Sequence, residues 1–156
     1  MEYTLKANTV IDAPAAAVFE RITDLDHLPD WNTEIRRVIE RPPAVQVGAQ
    51  WLVRIKAMGN GWDSRSTALV IDPEHGRFAY RSQTDDGNPS YAEWRWQLSP
   101  DPAGTRVDVE VDIRPRTSAR RYVLSGMRRP SLHRAMRRSL DALDHVLTTT
   151  DERERA

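Results

Sequence analysis

Five tryptophans stand in this 156-residue chain, and the spacing of four of them could do chemistry. Trp51, Val53 and Ile55 alternate with Leu52, Arg54 and Lys56, the period-two mark of a strand with one buried face. Trp94 and Trp96 alternate in the same way with Glu93, Arg95 and Gln97. Trp62 falls on one face with Ser64 and Ser66, and Phe78 and Tyr80 extend the same wall. A buried indole N–H needs a partner. Several indoles on one concave face therefore suit a flat aromatic ligand, offering stacking surface and a few fixed donors. Ser64 and Ser66 would add hydroxyls. Leu132, Met136 and Leu140 recur at helical spacing and would close such a space from the other side. An ordinary aromatic core gives the same pattern, so both readings stand at this point.

Acid–base chemistry has fewer candidates. The histidines are His27, His75, His133 and His145, and no two share a metal-ligand spacing, so no metal site is expected. His27 sits beside Pro29 and His75 lies in a turn, both solvent-facing. His145 follows Asp141 by four residues, a pair for an exposed helix face. His133 is the histidine to test as an acid or base. There is no cysteine, which excludes disulfides and thiolate chemistry. No phosphate-cradling glycine loop and no Gly-x-Ser-x-Gly elbow occurs. No cofactor is expected.

The elements that must position these residues follow from the same patterning. A Thr- and Val-rich strand spans Tyr3–Ile11, and Pro14 opens a short helix from its first turn. A second short helical piece over 24–31 is limited by Pro29. Strands follow at 35–39, 51–56, 62–71, 78–82, 91–98 and 105–114, separated by short turns such as Met58-Gly59-Asn60-Gly61. In the last strand Val107, Val109, Val111 and Ile113 face in. Short connections between strands predict an antiparallel meander. Beyond Pro115 the period changes: Gly126 breaks a helical piece over 117–124, and Pro130 starts a long amphipathic helix through Leu132, Met136, Leu140, Leu143 and Leu147. The expectation is an α+β fold with a curved antiparallel sheet of about seven strands around the C-terminal helix. One domain covers 1–150, and the polar tail 151–156 frays. The N-terminus has no signal-peptide pattern and no apolar run is long enough to span a bilayer, so a cytoplasmic protein without membrane insertion is expected.

This order resembles the helix-grip fold of the START-like or Bet v 1-like (SRPBCC) superfamily, and most closely its polyketide cyclase/dehydrase and lipid-transport group. The resemblance is carried by Val10-Ile11-Asp12-Ala13-Pro14-Ala15-Ala16-Ala17-Val18-Phe19 and by Asp24-Leu25-Asp26-His27-Leu28-Pro29-Asp30-Trp31. Trp94-Arg95-Trp96-Gln97-Leu98, Gly104-Thr105-Arg106-Val107 and Ser139-Leu140-Asp141-Ala142-Leu143 complete it. It implies a cavity between sheet and long helix that takes a small apolar or aromatic molecule. Cyclising members of the group use a cavity arginine on the fourth strand. Here Ala68 stands where that arginine is expected, and Ile35 where a cavity tyrosine stands. Arg65 would replace the arginine only if the strand shifted by an odd number of residues.

Charge adds one more feature. Residues 113–140 hold nine arginines and no acid, whereas residues 1–112 hold 12 Lys/Arg against 18 Asp/Glu. The basic segment either pairs with the acidic body or binds an external anion. The zero net charge argues against a specific nucleic-acid binder. The leading expectation is a non-catalytic binding protein for a small hydrophobic or aromatic molecule, monomeric or homodimeric. The second is a polyketide cyclase/dehydrase-type enzyme using Arg65, Ser66 or His133. The third is an adaptor that binds an anionic partner through the arginine-rich segment.

Overall fold

Alternation builds the sheet. A computed structural model describes residues 2–123 and 128–155, with side chains through 120 and over 128–149. Its strands are β1 (Tyr3–Ile11), β2 (Ile35–Glu40), β3 (Gln50–Ala57), β4 (Asn60–Asp72), β5 (Arg77–Thr84), β6 (Tyr91–Asp101) and β7 (Gly104–Arg114). They form one antiparallel sheet in the order β1-β7-β6-β5-β4-β3-β2. The meander from β2 to β7 is the predicted one, and β1 closes onto β7 with Tyr3 opposite Ile113 and Ile11 opposite Thr105. At the β3–β4 hairpin, Met58 and Gly59 take φ of 53° and 76°, the pair of left-handed residues that a two-residue hairpin turn demands.

Among the described residues the helical pieces are α1 (Ala15–Thr23), α2 (Ser118–Val123) and the long α3 (Arg129–Arg155), with a 3-10 turn over Leu25–Asp30. Pro14 stands just before the first helical residue rather than inside the first turn, and its carbonyl accepts from the N–H groups of Ala17 and Val18. The expected break at Gly126 lies outside the described residues. The backbone of α3 runs through most of the polar tail, to Arg155.

The core fills the hollow between the concave face of the sheet and the stripe of α3. Val107, Val109, Val111 and Ile113 are buried from β7, as are Leu132, Met136, Leu140, Leu143 and Leu147 from the helix. One element departs from simple alternation. The β4–β5 register slips between Ala68 and Val70, a bulge that leaves Leu69 and Val70 on the outside and returns Ile71 to the core. The convex face is polar, with cross-strand pairs such as Arg54–Asp63, Arg81–Glu93 and Arg95–Asp112.

β1 and β2 are the two edges of the sheet and are not bonded to each other. Helix α3 lies in the gap. On one side the His133 Nε2 sits 3.2 Å from the carbonyl of Lys6 on β1. On the other, the Thr33 N–H donates to the Ser139 hydroxyl at 3.1 Å, just ahead of β2.

Candidate functional site

Inside the sheet's curve lies a cavity of about 190 Å³. The alternation positions its wall. β3 contributes Trp51, Val53 and Ile55; β4 contributes Trp62, Ser64 and Ser66; β5 contributes Phe78, Tyr80 and Ser82; β6 contributes Trp94 and Trp96. Helix α3 faces them with Leu132 and Met136. Of the sequence-predicted ligand-binding residues, the structure brings these together and leaves out Leu140. That side chain is buried deeper along α3, in the apolar core beyond the cavity lining.

Register explains the aromatic geometry. Tyr80 is directly opposite Trp94, and Phe78 directly opposite Trp96. Such pairs place rings in contact across a sheet. Tyr80 and Trp94 stack at 6.1 Å with planes 14° apart, and Trp51 meets Tyr80 edge-on at 5.4 Å. The Trp94 indole N–H donates to the Ser82 hydroxyl at 3.3 Å. Burial pushes the Tyr80 phenol well above its ordinary pKa, against a smaller opposing hydrogen bond with Trp96, so Tyr80 stays neutral and can donate or accept. Ser64 and Ser66 are 7% and 3% exposed, line the cavity, and have no protein hydrogen-bond partner among the described residues. Two residues apart on one strand, their hydroxyls project to the same face.

The catalytic candidates separate. Ser66 lines the cavity. Arg65 does not: the register places it on the convex face, where it bonds Asp85 and Glu40, each at 3.1 Å. A period of two forces this, since its neighbours Ser64 and Ser66 both face in. His133 lies against β1 and is not part of the lining. Ala68, buried at 1%, occupies the interior face of β4 as its register with Tyr80 requires, and Ile35 lines the cavity. His27 and His75 are exposed and each pairs with a carboxylate three residues earlier, Asp24 and Asp72. Among the described residues no cluster of three or more potential metal ligands occurs.

Sequence reasoning missed two features. Trp31 is buried at 3%, lines the cavity beside Leu25 and Leu28, and packs edge-to-face on Trp96 at 5.6 Å. Its indole N–H has no partner among the described residues. The spacing Leu25, Leu28, Trp31 was a readable signal, because a 3-10 turn with three residues per turn puts all three on one side. The second feature is an ion pair. Arg128 makes two hydrogen bonds of 2.6 Å to the two carboxylate oxygens of Glu34, with the side chains only 10% and 14% exposed. Its guanidinium lies 5.5 Å above the Trp62 ring. Both charges line the cavity, as does Arg120, which bonds Asp86 at 3.2 Å.

The arginine-rich segment is thus largely engaged by the domain itself. Arg114 pairs with Glu2 and Asp112, Arg120 with Asp86, and Arg128 with Glu34. Arg116 reaches the Tyr91 hydroxyl at 3.3 Å, and Arg129 lies over the Tyr3 ring. Arg134, Arg137 and Arg138 are exposed on α3. No described helix is long and apolar enough to cross a membrane.

Comparison with known proteins agrees with this architecture. The family model described as polyketide cyclase/dehydrase and lipid transport matches residues 3–148. No curated protein sequence matches significantly. Among solved structures, the Zhui aromatase/cyclase from Streptomyces sp. R1128 superposes with a TM-score of 0.75 at 18% identity, covering 95% of this chain and 94% of that one. A protein from Thermus thermophilus superposes with a TM-score of 0.75 at 20% identity, covering 95% and 99%. A START superfamily protein from Mycobacterium smegmatis gives 0.68 at 17% identity, covering 94% and 98%. At these identities the likeness is one of fold.

Proposed function

The chain belongs to the polyketide cyclase/dehydrase and lipid transport family, within the START/Bet v 1-like superfamily, and on that premise we propose that it binds a small hydrophobic or aromatic molecule in its cavity. The observation that carries this reading is the lining. Five indoles, a phenylalanine and two tyrosines surround a space of about 190 Å³, and two buried serine hydroxyls inside it have no hydrogen-bond partner among the described residues. An apolar cavity of about 150 Å³ is enough to hold benzene. A fused aromatic ring system or a short acyl chain matches the larger space. The positions of Arg65 and His133 outside the cavity favour binding over turnover.

The test is a titration of the protein with 2-naphthol, a flat tricyclic phenol and decanol, read by tryptophan fluorescence and thermal shift. Saturable quenching by at least one is expected. The variant Ser66→Leu, which fills the cavity floor, should lose that binding and keep its fold. No saturable change with any of the three would overturn the proposal, as would unaltered binding by the Ser66→Leu protein.

A further inference from the structure

Charge along the lining is not spread evenly. Among the described lining residues only Arg120, Arg128 and Glu34 carry formal charge, two cations against one anion. All three sit at one end of the cavity. There Glu34 precedes β2, Arg120 lies on α2 and Arg128 immediately precedes α3, beside Trp62 and Tyr91 near the ends of their strands. The opposite end is apolar and closed by α1, with Phe19 packed on Phe78 at 6.5 Å.

The two cations are held differently. Arg128 is fixed. Glu34 takes one N–H from each terminal nitrogen of its guanidinium, and Trp62 lies against the planar group. A guanidinium has five N–H donors, and Glu34 takes two of them, so three have no acceptor among the described residues. Arg120 is held by a partly exposed pair with Asp86, whose side chain is 56% exposed, and by a 3.4 Å contact with the Thr84 hydroxyl. Exposed pairs of this kind hold weakly, and Arg120 can exchange Asp86 for a better-placed anion.

We infer that the ligand is an amphiphile whose apolar body fills the aromatic end and whose single carboxylate is received between Arg120 and Arg128. The inference rests on the cavity-binding reading above and adds the chemical class of the ligand and its orientation. With Asp86 counted the charges at this end balance, so one ligand carboxylate fits by taking the place of Asp86 on Arg120. Glu34 holds Arg128 in place, so a second anion on the ligand is disfavoured. The low-dielectric, aromatic surroundings strengthen the attraction relative to water.

The experiment compares isosteric pairs: 2-naphthoate with 2-naphthamide, and decanoate with decanamide. Affinities are measured by tryptophan fluorescence at low and at 0.5 M salt. For at least one pair the carboxylate should bind about tenfold more tightly than its amide, the equivalent of one charge-assisted hydrogen bond. Arg120→Gln should lower carboxylate affinity more than amide affinity and so remove most of that preference. The double variant Glu34→Gln/Arg128→Gln, which leaves no unpaired buried charge, should do the same. An amide that binds as tightly as its carboxylate overturns the inference and leaves the cavity reading intact. Equal losses for both members of a pair in the variants overturn it as well. If no carboxylate or amide binds while 2-naphthol or decanol does, the inference fails and the cavity reading stands; if none of these molecules binds, both fail.

Discussion

At the scale of single residues, the Arg128–Glu34 pair has the largest expected consequence. Removing one partner of a buried pair strands the other charge, at a cost of about 3–5 kcal/mol. Arg128→Gln should therefore lower stability by about that amount in urea unfolding, and adding Glu34→Gln should recover part of the loss. A double-variant loss equal to the sum of the losses of Arg128→Gln and Glu34→Gln alone would show that the pair is not coupled. Asp112 provides a pH test. The hydrogen bond from Arg95, aided by Thr4, holds its carboxyl below the ordinary carboxylate range. Its contribution is fully present above the unfolded value of about 3.9 and is lost as pH falls through the lower folded value. Asp112→Asn should be less stable than the parent at pH 7 and should lose less of its remaining stability on acidification below pH about 4. Acid denaturation curves for the two proteins check this. The sequence showed the cavity aromatics and serines because alternation orders neighbours along one strand. It did not show Arg128 meeting Glu34, because 94 residues separate them and no local period relates them.

At the scale of elements, close approach of backbones matters most where β1 turns toward α1. Gly104 has φ of +135°, and a Cβ there would lie 2.1 Å from the carbonyl oxygen of Ile11. Beside it the buried Thr105 hydroxyl donates to the Ala13 carbonyl at 2.7 Å. Gly104→Ala should cost about 4 kcal/mol or more, since both the clash and the backbone conformation oppose it. Chemical denaturation of the variant measures this, and a loss under about 1 kcal/mol would contradict the packing described. Most elements were legible. The stripe of α3 and the inward valines of β7 follow directly from periods near 3.6 and 2. The bulge at Leu69 was not, because alternation in sequence assumes an unbroken register. One extra residue exchanges the faces of everything beyond it, which is why Val70 is exposed and Ile71 is not.

At the scale of the whole molecule, binding and stability are linked. A ligand that occupies the cavity only in the folded state adds about 2.7 kcal/mol at 100 times its Kd. For a chain of this size that corresponds to a rise in Tm of roughly 5–10 °C, measurable by calorimetry. The same ligand should give no rise with the Ser66→Leu protein. The fold was readable in outline because each element's apolar face needs one partner, and a curved sheet and a long helix satisfy each other. The existence of free space between them was not readable, since a filled core has the same alternation. The unbonded edges of the sheet have a further consequence. Between β1 and β2 the vessel is sealed by side chains along α3, not by a ladder of backbone hydrogen bonds. A small rotation of the helix about its axis would change the enclosed volume without breaking a strand pair. A guest that shifts the helix alone would therefore leave every strand pair of the sheet intact.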